Sequence, residues 1–150
     1  MADLDARQPM RTTFQRALSK NLKAYLALAE EVEQFCEDND LSRTVVFKVR
    51  LVLEELVLNL IDHATNSLTD RLDVRIEIDR GRVVVVVEDD GDPFDPRLVP
   101  AFQKEKPLEE RGPRGMGIHL VRSMSERISY ERIDCRNRVE VVIRSAEAPT

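Results

Sequence analysis

Leu22, Tyr25, Leu26, Ala29, Val32 and Phe35 recur at intervals of three and four residues, which lines one face of a helix. The spacing predicts a helix from an N-cap at Ser19 to about Asp38, broken by Asn39-Asp40. Ser42 is expected to cap a second helix, Arg43 to Ala64, so rich in apolar residues that most of it must be buried. The period then changes from helical to alternating. Leu72 to Ile78 alternates apolar and polar as a half-buried strand does, and Arg80-Gly81 supplies a tight turn. The valines from Val83 to Val87 suit the centre of a sheet. An edge strand is expected from Met10 to Arg16 and a helix from Gly115 to about Arg127. A closing hairpin, Ile128 to Ile133 and Arg138 to Arg144, is expected to turn around Cys135-Arg136-Asn137. This order predicts an α+β two-layer sandwich, a mixed and mostly antiparallel sheet covered by helices on one face.

The domain is expected over residues 10–145, behind a polar tail of residues 1–9 that ends at Pro9. Between the strands and the third helix, Pro93 to Pro113 holds five of the seven prolines among Lys104, Glu105, Lys106, Glu109, Glu110 and Arg111. A long charged loop inside a compact domain reads as a functional lid.

Composition narrows the setting. At 150 residues the chain can bury a core without disulfides or metals. A net charge of −5 with both signs interspersed argues against nonspecific nucleic-acid binding and against anionic membranes. The longest apolar run is too short to span a bilayer, and the N-terminus lacks the apolar stretch of a signal peptide. Cys36 and Cys135 stand far apart with no metal-ligand pattern beside either, which fits two free thiols in a reducing cytoplasm.

Three motifs interrupt the expected core with chemistry. Glu55, Asn59 and His63 sit at i, i+4 and i+8, on one face of the apolar second helix. Buried without partners, a carboxylate and an amide cost several kcal/mol. A magnesium ion with phosphates would compensate them, Asn59 as a hard oxygen ligand and Glu55 orienting or deprotonating a hydroxyl. The plain alternative is a wet helix face. Asp89-Asp90-Gly91 ends the valine strand, where a carboxylate can accept from an exocyclic amine and a glycine lets backbone approach a flat ring. An ordinary acidic turn has the same composition. Arg111-Gly112-Pro113-Arg114-Gly115-Met116-Gly117 precedes a helix, and exposed N–H groups at such a junction attract anions. A plain hinge is the alternative. Four of the five glycines fall in the last two motifs.

Together, Glu-x-x-x-Asn, Asp-x-Gly and Gly-x-Gly before a helix resemble the N, G1 and G2 boxes of the GHKL (Bergerat-fold) ATPases over roughly residues 10–145. Within that superfamily the chain looks most like the anti-sigma serine kinases of the RsbW/SpoIIAB type. Leu53-Glu54-Glu55-Leu56 ahead of Asn59, Pro93-Phe94-Asp95-Pro96, and Arg114 to Val121 carry that likeness. So do Ile128 to Arg132 and Asn137 to Glu140. The resemblance implies Glu55 as catalytic carboxylate, Asn59 as magnesium ligand and Asp89 as receptor of the adenine amino group. It implies further nucleotide contacts at Gly91, Gly115, Met116, Gly117 and His63. The positive lid residues Arg111 and Arg114 are the candidates for offsetting phosphate charge, with solvated surface arginines as the plain alternative. Two positions depart from the pattern: Pro93 replaces a frequent second G1 glycine, and Pro113 stands where many relatives carry glycine.

The function so implied is ATP- and magnesium-dependent phosphorylation of a STAS-domain anti-anti-sigma protein, with sequestration of a sigma factor or another regulated target. The resemblance also implies a homodimer, with apolar surface on the N-terminal strand and first helix as its interface. Three other functions compete. A catalytically inactive ATP-binding module would sequester partners only, and a scaffold would bind no nucleotide. A sensor histidine kinase needs an acceptor histidine on a separate helix pair, whereas His63 and His119 both lie inside the nucleotide boxes.

Overall fold

The computed structural model describes residues 12–62, 70–98 and 115–145. Among these residues five strands and three helices follow in the order β1 (Thr12–Ser19), α1 (Leu22–Asp38), α2 (Arg43–Asp62), β2 (Arg71–Asp79), β3 (Arg82–Asp89), α3 (Gly115–Met124), β4 (Arg127–Ile133) and β5 (Arg136–Arg144). A 3-10 turn, Pro96–Leu98, follows β3. The element order matches the sequence expectation. Among the described residues the strands lie in the order β1-β2-β3-β5-β4, and every pairing is antiparallel.

Local chemistry explains the boundaries, including those the sequence misplaces. Ser19 does not cap α1. It is the last residue of β1, paired with Arg71, and the cap is Asn21, whose Oδ1 accepts from the Ala24 N–H at 2.8 Å. Asn39 closes the helix by donating from its side chain to the Phe35 carbonyl at 2.8 Å. Ser42 caps α2 as expected, accepting from the Val45 N–H at 3.2 Å. Both hairpins use two-residue turns with both residues at positive φ, the geometry that matches strand twist. Arg80 (φ 43°) and Gly81 (φ 77°) join β2 to β3, while Asp134 (φ 51°) and Cys135 (φ 63°) join β4 to β5. Arg136 and Asn137 are therefore not turn residues. They open β5, and this correction matters for the site.

The alternation in the strands then fixes the layers. Leu72, Val74 and Ile76 of β2, Val83, Val85 and Val87 of β3, and Val139, Val141 and Ile143 of β5 are buried in one core with α1, α2 and α3. Leu28 and Val32 come from α1, Val49, Val52, Leu53 and Leu56 from α2, and Ile118 and Val121 from α3. Valine is a mediocre helix former, yet α2 carries five valines because its packing face outweighs propensity. Ile76 is fully buried at the centre of this layer. Ile76→Ala is expected to cost about 3 kcal/mol and to lower the melting temperature by roughly 10 °C, measured by calorimetry.

The opposite sheet face carries charge. Asp73 and Glu88 stand directly across β2 and β3 from each other, a repulsive pairing that Arg136 relieves at 2.8 and 3.6 Å. Arg138 continues the lattice to Glu88 at 3.3 Å and Glu140 at 2.9 Å. Such half-exposed pairs add little stability each. Their consequence is a wetted face that leaves the core on the helical side.

Candidate nucleotide site

The inward positions that place valines in the core also place polar groups there where two strands end. Val85, Val87 and Asp89 share one side of β3, and Ile143, Val141, Val139 and Asn137 share the same side of β5. Asp89 and Asn137 are direct cross-strand partners, 3% and 2% exposed. Opposite them lies the C-terminal half of α2. Asn59, 6% exposed, lines a narrow cleft with Leu56, Leu60, Val87, Asp89, Phe94, Pro96, Asn137 and Val139. The cleft encloses about 10 Å³, the room of roughly one water, so its lining must part to admit a planar ring.

Asp89 is held on both oxygens. The Lys20 ammonium donates to Oδ2 at 3.1 Å, the Gly91 N–H to the same oxygen at 3.2 Å, and the Asn137 amide to Oδ1 at 2.9 Å. Lys20 also lies 3.8 Å from Asp90, and its side chain is 1% exposed. This ammonium sits between β1 and the cap of α1, inside the molecule, opposite two acidic side chains. Asn137 ties Asp89 to the loop that follows. Its amide donates to the Asp92 carbonyl at 2.8 Å, and its oxygen accepts from the Phe94 N–H at 3.3 Å, from Arg132 at 3.0 Å and from the Tyr130 hydroxyl. Arg132 further donates to the Gly91 carbonyl at 3.0 Å. Gly91 is buried and does not take positive φ, so its use is bare backbone that donates to Asp89 and accepts from Arg132. Beyond it, a hydrogen bond from Arg97 holds the Asp95 carboxyl below the usual carboxylate range.

The catalytic candidate meets the third motif directly. A Cβ built on Gly117 would fall on the carboxylate of Glu55, so the first turn of α3 lies against the α2 carboxylate with no room for a side chain. The sequence assigns Gly117 to a nucleotide loop; the structure adds that its missing side chain seats Glu55. On the neighbouring α1, burial pushes the Tyr25 hydroxyl up to about 12, with Glu54 adding to the shift and Glu55 contributing. The Cys36 thiol is likewise raised to about 11 by burial, which makes it an inert core group.

Of the residues singled out from sequence, Glu55, Asn59, Asp89, Gly91 and Gly117 converge at this end of the fold. Gly115 opens α3 beside them, and Met116 follows in the same turn. His63, Arg111 and Arg114 lie outside the described residues, as does most of the expected lid. Two residues were missed. Asn137 was legible in principle, as a polar residue on the inward side of an otherwise apolar strand. Lys20 had no such signal, because nothing in its spacing distinguishes it from a surface lysine.

The donor set suits a nucleotide with a magnesium ion. Asn59 presents a buried amide to the cleft, and no hydrogen bond reaches it from another described residue. Among the described residues no group of three or more His, Cys, Asp or Glu side chains gathers to hold a metal unaided, so a metal here would share its shell with phosphate oxygens. No described helix is long and apolar enough to cross a membrane.

Comparison with known proteins identifies the fold and the family. No curated protein matches the chain significantly. Among solved structures, the Acinetobacter baumannii histidine kinase AdeS superposes with a TM-score of 0.51 at 17% identity, covering 89% of this chain and 68% of that one. At that identity the likeness speaks for the fold. The model of the histidine kinase-like ATPase domain matches residues 18–143, from the end of β1 to the end of β5. The chain belongs to the histidine kinase-like ATPase domain family, the kinase-like ATP-binding domains of the GHKL superfamily.

Proposed function

We propose that this domain is a serine kinase and anti-sigma factor of the RsbW/SpoIIAB type, transferring the γ-phosphoryl of ATP to a serine of a STAS-domain anti-anti-sigma protein and sequestering a sigma factor or another regulated target. The observation that carries the reading is the convergence of Glu55, Asn59 and Asp89 from two elements on one end of the sheet, with Gly117 against Glu55. Among the described residues the one histidine is His119, an exposed residue of α3 inside the nucleotide motif.

In this reading Asp89 receives the exocyclic amine of the base, and Asn59 supplies an oxygen ligand to magnesium. Magnesium held there by Asn59 would draw charge from the phosphates and help orient them. Glu55 takes the proton of the attacking serine hydroxyl, so that its oxygen forms the new bond to phosphorus as the bond to ADP breaks. Arg111 and Arg114 offset charge that develops on the transferred group. A phosphoserine facing a chain of net charge −5 is repelled, which releases the product and frees this chain for its other partner. Leu22 and Leu26 project from α1 at 57% and 55% exposure, next in sequence to β1, the outermost described strand, and supply an apolar surface for a homodimer.

Incubating the chain with labelled ATP, magnesium and a STAS-domain partner tests the whole reading. Label on a partner serine supports it, whereas sequestration with no transfer returns the chain to a binding module. Asn59→Ala is expected to weaken magnesium-dependent ATP binding by about tenfold or more, seen by calorimetry with and without magnesium. Equal losses in both conditions would remove Asn59 from the metal.

A further inference from the structure

The Asp89 carboxylate has about four acceptor positions, and this fold fills three of them from the protein itself. Oδ2 takes the Lys20 ammonium at 3.1 Å and the Gly91 N–H at 3.2 Å. Oδ1 takes the Asn137 amide at 2.9 Å. One acceptor position on Oδ1 is left, and Asp89 lines the cleft together with Asn59.

The orientation of Asn137 is fixed by chemistry. Its nitrogen faces acceptors only, Asp89 Oδ1 and the carbonyls of Asp92 and Gly91, while its oxygen faces donors only, the Phe94 N–H, Arg132 and Tyr130. A flipped amide would set oxygen against carboxylate and N–H against guanidinium. Lys20 is as constrained. Its ammonium is buried and faces two carboxylates, Asp89 and Asp90, so it cannot leave without stranding charge in the interior.

We propose that Lys20 and Asn137 form a two-sided clamp that positions Asp89 so that its one remaining lone pair selects a 6-amino over a 6-oxo purine. The proposal rests on the reading that Asp89 receives the base. The clamp acts through Asp89, and both members are positioning residues. A 6-amino group donates to the remaining lone pair. A 6-carbonyl would bring oxygen against the carboxylate, and the clamp prevents Asp89 from turning away to relieve that repulsion. An unclamped carboxylate could rotate, and would lose discrimination as well as affinity.

The test compares ATP with inosine triphosphate, which differs at the 6-position, by calorimetry on the full chain with magnesium. Wild-type protein is expected to prefer ATP, and Asp89→Asn to lose that preference; absence of either result defeats the underlying reading of the base site. With both established, Asn137→Ala is expected to lose about tenfold in ATP affinity while inosine triphosphate affinity changes less than about twofold. Lys20→Met should behave alike, and thermal melts report whether it folds; if it does not, Asn137→Ala decides alone. Parallel losses for both nucleotides, or an unchanged ATP preference in Asn137→Ala, would overturn the clamp while leaving the base site intact.

Discussion

Glu55→Gln is expected to slow phosphoryl transfer by about a thousandfold while ATP affinity stays within roughly threefold of wild type. Glutamine keeps the length and shape that rest against Gly117, so the contact between α2 and α3 survives the change. What it removes is basicity. A positioned base contributes on the order of 10² to 10⁴ in rate, and the amide cannot take the proton from the attacking hydroxyl. Asp89 and Asn59, which in the proposed reading hold base and metal, are untouched. Single-turnover transfer of labelled phosphate to a STAS-domain partner gives the rate, and calorimetry gives the affinity. Transfer at the wild-type rate would take the base role from Glu55. A joint loss of binding and transfer would instead mark Glu55 as a binding group.

The same residues show how far sequence reaches. Periodicity located α1 and β2, because a three-to-four repeat and a strict alternation have only one way to bury their apolar sides. The Asp89-Asp90-Gly91 and Glu55-x-x-x-Asn59 motifs were legible because a polar residue on an otherwise apolar stripe has to be accounted for. The start of α1 was misplaced because Ser19 and Asn21 are equally good caps, and the choice falls to the pairing of Ser19 with Arg71 across the sheet. The β4-β5 turn was misplaced by two residues for a related reason. Asp134 and Cys135 adopt left-handed backbone without glycine, so the usual turn signature was missing and Asn137 was read into the loop. That slip hid the cross-strand partner of Asp89. Lys20 was hidden more deeply. Its burial depends on a contact with a residue 69 positions away, which no local pattern encodes.

Gly117→Ala is expected to reduce phosphoryl transfer by about a hundredfold while altering stability by no more than about 1 kcal/mol. The two effects separate because of what the new methyl group meets. It falls on the tip of the Glu55 side chain and not on backbone, so the clash is relieved by rotating the carboxylate away. Alanine in a helix is worth up to about 1 kcal/mol over glycine, which offsets what the displaced carboxylate loses. Folding therefore survives, and the geometry of the base does not. The decisive comparison is a cycle with Glu55→Gln. If Gly117 acts by seating the carboxylate, adding Gly117→Ala to Glu55→Gln should cost little further transfer, because the base is already gone. If Gly117 acts on the nucleotide alone, the two losses should multiply, and ATP affinity should fall in the Gly117→Ala protein whether or not position 55 carries a charge. Multiplying losses would thus return Gly117 to the phosphate loop that its sequence motif suggests and break the link between α3 and the catalytic carboxylate.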